Sequence, residues 1–533
     1  MYYLLYSILL FVSFFVDAAA SSKPQKIDSQ PNIILFYVDD LGWADTSVLM
    51  MNSDQESRSD FNQTPALELL ANRGMKFSNA YAPAPTCTPS RKSIQLGKTP
   101  GRIQYTFVND VLALKRNLKW GGHTSLADVV KGGSTNYITA HFGKGMENEF
   151  MKVLGYDVTD EYDIGPNGNF HGEYNSIPDR KSLPDDDPKR IYSLTKSSTD
   201  FIKEYAGKRP FFMMVSHYAV HVPHAASSHL IDKYRKLPRG KYCTDDDYLT
   251  PEDMNNGRKI TSWRLQYAAM LEEVDMSLGA ILETLKKHDI DDNTYVIVTS
   301  DNGGGMNPNG PLRGCKANLY EGGLRVPFVV AGPNIPQGVQ CDVPVVQWDL
   351  LPTFHDLVGN NNPLPSDLDG GSLRSVFEDG DEGNVKRTEK GFVFHYPCYF
   401  APPLSVIREG DYKLMRHINT GDIRLFDLKN DYAEKYDISK NNPKKVNELI
   451  SILDKYLEKI DAENLDEVYE ARFWQLDKFE AQAKEQFERK TKGLDAIEHA
   501  DRIASFKEKL DSDINRFNHN RKEVRLNIEK TDW

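Results

Sequence analysis

Two long apolar runs, each ending abruptly in carboxylate and glycine, constrain this chain more than any other feature. Asn32-Ile33-Ile34-Leu35-Phe36-Tyr37-Val38 runs into Asp39-Asp40-Leu41-Gly42, and Tyr295-Val296-Ile297-Val298-Thr299-Ser300 runs into Asp301-Asn302-Gly303. Continuous hydrophobicity marks strands covered on both faces, the condition of a parallel sheet flanked by helices. A third such run, Pro210 to Val215, opens into a loop carrying His217, His221 and His224. Leu271, Val274, Leu278, Ile281, Leu282 and Leu285 keep helical spacing ahead of the second run, which predicts a crossover helix. Thr64-Pro65 predicts the start of another helix, with Thr64 as cap and Gly74 as stop after Arg73. The predicted class is α/β, with a large, mostly parallel central sheet between helices.

Open sheets of this class bind ligands beyond the carboxyl ends of their strands. Asp39, Asp40, Asp301 and Asn302 would give an all-oxygen set there, and carboxylates crowded together repel one another without a cation. Such a set suits Ca²⁺ or Mg²⁺ and disfavours zinc or copper. Either segment alone also reads as a solvated turn, since Asp and Gly are ordinary turn formers. Two such strand ends in one sheet favour a shared ion.

Cys87-Thr88-Pro89-Ser90-Arg91 lies between them. Pro89 fits the first turn of a helix, so Cys87 should sit where a loop enters one. Unpaired amides at a helix start favour anions, and Arg91 would share the face of Cys87. The arrangement reads as an anion-binding nucleophile; the alternative is a buried or disulfide-bonded cysteine beside a surface arginine.

Cys-x-Pro-Ser-Arg resembles the type I sulfatase motif, in which the cysteine is oxidised after translation to formylglycine, an aldehyde whose hydrate attacks sulfate esters. Similar segments extend from residue 31 to about 460. Gly143-Lys144-Gly145 resembles the family's Gly-Lys-Trp-His, His221-x-Pro its leaving-group histidine, and Lys316 followed by Glu321-Gly322-Gly323-Leu324-Arg325-Val326-Pro327 its second lysine segment. The resemblance implies an alkaline-phosphatase-like catalytic domain with a smaller C-terminal α+β domain. It also implies roles: Cys87 as formylglycine precursor, one calcium ion on Asp39, Asp40, Asp301 and Asn302, sulfate contacts from Arg91, Lys144 and Lys316, and His221 as proton donor to the leaving alcohol. A formylglycine-generating enzyme would be a maturation partner, and the substrate a sulfated small molecule or glycan. Two departures stand out. Met146 replaces the family's histidine, and a thioether cannot exchange protons; the alternatives are His141 as a substitute, a differently threaded segment, or slow turnover. Ile94-Gln95, Leu96-Gly97 and Lys98 replace the residues that usually follow the motif.

At 533 residues the chain exceeds what one core supports, so two domains are expected. The expected division is 1–20 a signal peptide, 30–375 catalytic, 376–460 an antiparallel-sheet subdomain with a packing helix, and 461–533 a charged helical tail that the family does not predict. Tyr2 to Val16, followed by Ala18-Ala19-Ala20-Ser21, suits a secretory leader with an Ala-x-Ala site, although an uncleaved anchor is the alternative. An extracellular or lysosomal location follows, with no stable membrane span, and Asn62-Gln63-Thr64 is a glycosylation sequon. With Cys87 converted, Cys243, Cys315, Cys341 and Cys398 allow two disulfides. Net charge of −12 argues against a nucleic-acid partner. A phosphodiesterase or phosphonate hydrolase of the same superfamily is one rival, and a catalytically impaired binding protein, suggested by Met146, is the other.

Overall fold

The computed structural model describes residues 30–118, 121–134, 136–145, 148–160, 187–222, 224–244, 263–305, 309–492, 494 and 499–529. The expected leader, Met146, Pro223 and part of the 225–262 insertion lie outside the described residues. In chain order the strands are β1 (Asn32–Val38), β2 (Met75–Phe77), β3 (Ala80–Tyr81), β4 (Ile138–Gly143), β5 (Val158–Thr159), β6 (Phe211–Ser216), β7 (Thr294–Ser300), β8 (Phe328–Ala331), β9 (Val339–Cys341), β10 (Val345–Val346), β11 (Phe392–Tyr396), β12 (Leu404–Glu409), β13 (Tyr412–His417) and β14 (Ile423–Asp427).

Eight of them form one sheet in the order β5-β4-β6-β1-β7-β8-β2-β9. β1 is central and pairs in parallel with β6 on one side and β7 on the other, Val38 lying opposite Ser300. That register brings Asp39 and Asp301, the next residues of the two strands, to the same sheet end. All seven residues of β1 are buried. Its alternate side chains feed two cores: Ile34, Phe36 and Val38 on one face, Ile33, Leu35 and Tyr37 on the other. Each fully buried Ile, Leu, Val or Phe contributes about 1.5–3 kcal/mol, so this strand cannot slip register without inverting both cores.

Helix α1 (Pro65–Arg73) begins and ends where the sequence predicts, but its cap is remote. The Thr64 hydroxyl turns to Ser47 at 2.8 Å, while Asp275 accepts from the amides of Ala66 and Leu67 at 2.8 and 2.9 Å. Asp275 comes from the long helix Trp263–Lys287, whose predicted stripe from Leu271 to Leu285 is buried. Helix α2 (Cys87–Leu96) starts at the cysteine itself and packs on the opposite face of the sheet.

The four strands β11 to β14 make an antiparallel sheet in sequence order, packed by the helix Pro443–Lys459. Two further helices, Leu465–Thr491 and Ala500–Glu529, pack against each other. The expected disulfides do not form: none of the five cysteines is in a disulfide, and Cys341 and Cys398 are buried in separate hydrophobic clusters. No helix among the described residues is long and apolar enough to cross a membrane.

Candidate active site

The site is built where β1, β7, β6 and the start of α2 meet. Asp39 and Asp301 are both fully buried, and one ligand atom each of Asp39, Asp301 and Cys87 lie within 4.8 Å of one another. Asp40 has a left-handed backbone (φ 63°), a conformation that aspartate tolerates better than most residues. Its amide donates to Asp301 Oδ1 at 3.1 Å. Asn302 Nδ2 donates to Asp40 Oδ1 at 2.8 Å. Ser300 Oγ locks the turn by accepting from the Leu41 amide at 2.8 Å. Gly303 is required here because a Cβ would stand 2.0 Å from the Gly322 carbonyl oxygen, so the two glycine-bearing loops touch.

Positive charge converges on these carboxylates from three elements. Arg91, one turn into α2, places Nε and Nη2 at 2.8 and 2.7 Å from Asp301 Oδ2. Its Nη1 donates to the Lys144 carbonyl at 3.0 Å and to Ser216 Oγ at 2.5 Å. Lys144, just past β4, pairs with Asp39 Oδ2. Lys316 Nζ lies 2.6 Å from Asp40 Oδ1, and His221 Nε2 lies 3.7 Å from Asp40 Oδ2.

These couplings set the protonation pattern. Burial alone would raise the Asp39 carboxyl, but Lys144, His221 and Arg91 outweigh it and hold it below the usual carboxylate range. Asp301 is pushed up to about 7, by burial first and then by the Asp39 charge, against the opposing Arg91. Burial works against the ammoniums of Lys144 and Lys316, yet the carboxylates prevail and both end above an ordinary lysine. Burial lowers His221, with Asp39 and Asp40 opposing the shift.

The donor set fits a hard divalent cation. Asp39 Oδ1 and Asn302 Oδ1 are buried acceptors with no hydrogen-bond partner, an expensive state unless a cation takes them. Asp39, Asp40, Asp301 and Asn302 offer only oxygen, as Ca²⁺ and Mg²⁺ require.

Thus Cys87, Arg91, Lys144, His221, Lys316 and the four oxygen-bearing residues all meet at one sheet end. The remaining histidines of this region do not join them equally. His217 is buried against Phe36, ring centroids 4.8 Å apart, with Nε2 3.4 Å from Ser277 Oγ. His141 packs on Tyr156 at 5.6 Å, and burial together with Arg91 pushes it down to about 3, so it makes a poor substitute for a proton-exchanging histidine. His224 stacks on Tyr267 at 5.4 Å.

Two residues escaped the sequence. Ser216 ends β6 and links Arg91 to the Lys144 carbonyl, to which it donates at 2.7 Å; its place at a buried strand's end was the available signal. Lys189 is fully buried and within electrostatic reach of Asp39, Lys144 and Asp40, with burial pushing its amine down to about 7. Nothing in the Asp-Pro-Lys-Arg context marks it, because successive left-handed residues at 189 and 190 aim it.

The sulfatase family model matches residues 31–360, which is more than half of the chain and spans every residue of this site. The chain belongs to the sulfatase family. A second model, the C-terminal part of N-sulphoglucosamine sulphohydrolase, matches residues 315–463. The sulfatase is similar to a sulfatase of Formosa agariphila, 28% identical over 521 residues, covering 82% of this chain and 89% of that one. It is similar also to the N-acetylgalactosamine-6-sulfatase of Mus musculus, 28% identical, covering 68% of each. Its fold matches the crystal structure of Ps i-CgsB in complex with k-i-k-neocarrahexaose, with a TM-score of 0.62, 24% identity and coverage of 80% of this chain and 93% of that one. The protein is a sulfuric ester hydrolase of alkaline-phosphatase-like α/β fold.

Proposed function

We propose that this sulfatase enters the secretory pathway, matures by oxidation of Cys87 to formylglycine and hydrolyses sulfate monoesters of a sugar with the help of one bound Ca²⁺. The observation that carries the reading is the placement of Cys87 Sγ within 4.8 Å of ligand atoms of Asp39 and Asp301. A nucleophile there is next to the groups that would hold both cation and substrate oxygens. Oxidised, Cys87 would supply a hydrated aldehyde with two hydroxyls, one to take the sulfuryl group and one to expel it. Bound by Asp39, Asp40, Asp301 and Asn302, a calcium ion would withdraw charge from the sulfate oxygens.

The chain's own charges explain selectivity for an anion. Three carboxylates, Asp39, Asp40 and Asp301, face three cations, Arg91, Lys144 and Lys316. A divalent ion added to this balanced set makes the site positive, although the chain as a whole is acidic. Fixed in place by burial, Arg91, Lys144 and Lys316 then stabilise charge developing on the sulfuryl oxygens without reorganising. His221, partly exposed and beside Asp40, would hold the proton that the leaving alcohol needs. A sugar as leaving group draws support from the N-acetylgalactosamine-6-sulfatase relative and the neocarrahexaose complex.

Two measurements test this. Mass spectrometry of the Cys87 peptide from secreted protein should show the mass loss of thiol-to-aldehyde conversion. Paired kinetics on sulfate and phosphate monoesters and diesters should favour the sulfate monoester. An unmodified Cys87 with undiminished turnover would overturn the nucleophile, and a preference for phosphodiesters would overturn the substrate.

A further inference from the structure

Both ends of the loop that carries Lys316 are held by one residue of the C-terminal region, Glu434, which follows β14. At one end, Arg313 Nη1 donates to the Glu434 carbonyl at 3.2 Å. At the other, the Glu321 amide donates to Glu434 Oε2 at 2.6 Å. Lys413, on β13, completes the grip, its Nζ lying 2.9 Å from Glu321 Oε1 and 2.9 Å from Glu434 Oε1. All three of Glu321, Lys413 and Glu434 are buried. Glu434 keeps a left-handed backbone (φ 55°), a conformation that glutamate holds only where its surroundings dictate it.

Between its held ends the loop is registered against both halves of the active site. The Lys316 amide donates to the Gly304 carbonyl at 3.0 Å, in the turn that follows Asp301 and Asn302. The Ala317 amide donates to the Pro85 carbonyl at 2.8 Å, two residues before Cys87. The Gly322 amide donates to the Arg313 carbonyl at 2.7 Å, and Asn309 Nδ2 spans the Gly314 and Gly322 carbonyls at 3.1 and 3.0 Å, which closes the loop on itself. From this frame the Lys316 ammonium emerges 2.6 Å from Asp40 Oδ1. A lysine stem is flexible, so the place its charge reaches depends on where the backbone beneath it is held. A buried ion triad adds little stability over apolar packing of the same volume. What it imposes here is a single position of the loop relative to the C-terminal sheet.

We infer that Glu434 and Lys413 are positioning residues for Lys316, so that the C-terminal sheet region fixes one of the sulfate-binding cations of the catalytic site. The inference rests on the sulfate contact proposed for Lys316 above and adds the groups through which that contact is set. They act at one remove: Glu434 and Lys413 grip the ends of the loop, and the loop delivers the ammonium.

A double-mutant cycle on full-length protein, produced together with a formylglycine-generating enzyme, tests this. Glu434→Ala leaves Lys413 paired with Glu321 alone, so no buried charge is orphaned. Affinity for inorganic sulfate, by calorimetry in excess Ca²⁺, and kcat/KM for p-nitrophenyl sulfate should each fall about ten- to hundredfold in Glu434→Ala, as when a binding group is misplaced by about 1 Å. Glu434→Gln, which keeps an acceptor for the Glu321 amide, should recover most of the loss. Should Glu434→Ala fail to fold, Arg313→Ala, at an exposed position, releases the other end of the loop and should lower both quantities at least about threefold. In a Lys316→Ala background the same substitutions should change both quantities by less than about twofold, because no ammonium is left to misplace. A residue that merely holds the fold together would act equally in both backgrounds. Equal losses in both, no loss in either, or a Lys316→Ala variant with wild-type sulfate affinity overturns the positioning role. Sulfate affinity that shows the coupling in a protein that cleaves no sulfate ester leaves the positioning role standing and overturns the proposed function instead.

Discussion

Arg91 reaches Asp301 with two nitrogens at once, Nε at 2.8 Å and Nη2 at 2.7 Å from the same carboxylate oxygen, and both side chains are almost wholly buried. A buried pair of this kind punishes the loss of one partner more than it rewards the presence of both, because the survivor is left charged and unsolvated. Arg91→Ala should therefore lower stability by about 3–5 kcal/mol, read as a fall in the thermal unfolding midpoint, together with near-complete loss of turnover. Arg91→Lys keeps the charge but not the fork and should fall between. A variant Arg91→Ala that melts with the wild type would show that the pair carries no such strain.

The cation reading makes its own prediction. Asp39 Oδ1 and Asn302 Oδ1 lack hydrogen-bond partners, so a divalent ion should stabilise the fold by filling that need. Ca²⁺ at a hundred times its dissociation constant would add about 2.7 kcal/mol. Melting curves in chelator and in excess Ca²⁺ should differ for the wild type and coincide for Asp40→Asn and Asn302→Ala. If Ca²⁺ fails to move the wild-type midpoint, the four oxygen-bearing residues do not form a cation site.

Much of this architecture was legible because β1 and β7 advertise themselves: unbroken apolar runs, each followed at once by carboxylates, can hardly lie anywhere but the centre of a covered sheet. Arg91 was legible through its spacing from Cys87 in one helix. Less local facts were hidden. Asp275, which caps α1 from a helix some two hundred residues later, looks like any acidic position of a long helix until the fold closes. The carboxylates' partners Lys144 and Lys316 could be found only through resemblance, since spacing along the chain does not reveal which carboxylate a loop lysine will meet. Lys189 was invisible for the same reason, its direction being set by backbone torsions that no neighbouring glycine announces.

His221 should matter in proportion to how badly the leaving group needs a proton. It stands 3.7 Å from Asp40 and keeps some exposure, as a residue serving the departing alcohol must. General acids typically contribute 10²- to 10⁴-fold, and a nitrophenolate needs little of that help while a sugar alkoxide needs most of it. His221→Asn should therefore reduce kcat far more for a sugar sulfate than for p-nitrophenyl sulfate. Equal losses on both substrates would assign His221 to binding instead of proton transfer.

The junction between the catalytic sheet and the C-terminal helices holds a pH dependence whose sign can be fixed in advance. Thr106 Oγ1 lies 2.5 Å from Glu463 Oε2 and 3.3 Å from Asp110 Oδ2, and Asp110 caps the helix Val111–Arg116 by accepting from Leu112 and Ala113, both at 3.1 Å. Burial raises both carboxyl groups above their ordinary values, and the Asp110 charge raises Glu463 further, with Arg116 opposing. Since the folded state binds protons more tightly than the unfolded chain, stability is greatest at or below the ordinary carboxylate range. It is lost as pH rises toward the folded values. The unfolding midpoint should accordingly be higher at pH 5 than at pH 8, and Glu463→Gln, which keeps an acceptor for Thr106 without the charge, should shrink that difference by raising the midpoint at pH 8. A variant Glu463→Gln that leaves the pH 5 to pH 8 difference unchanged would place the sensitivity elsewhere.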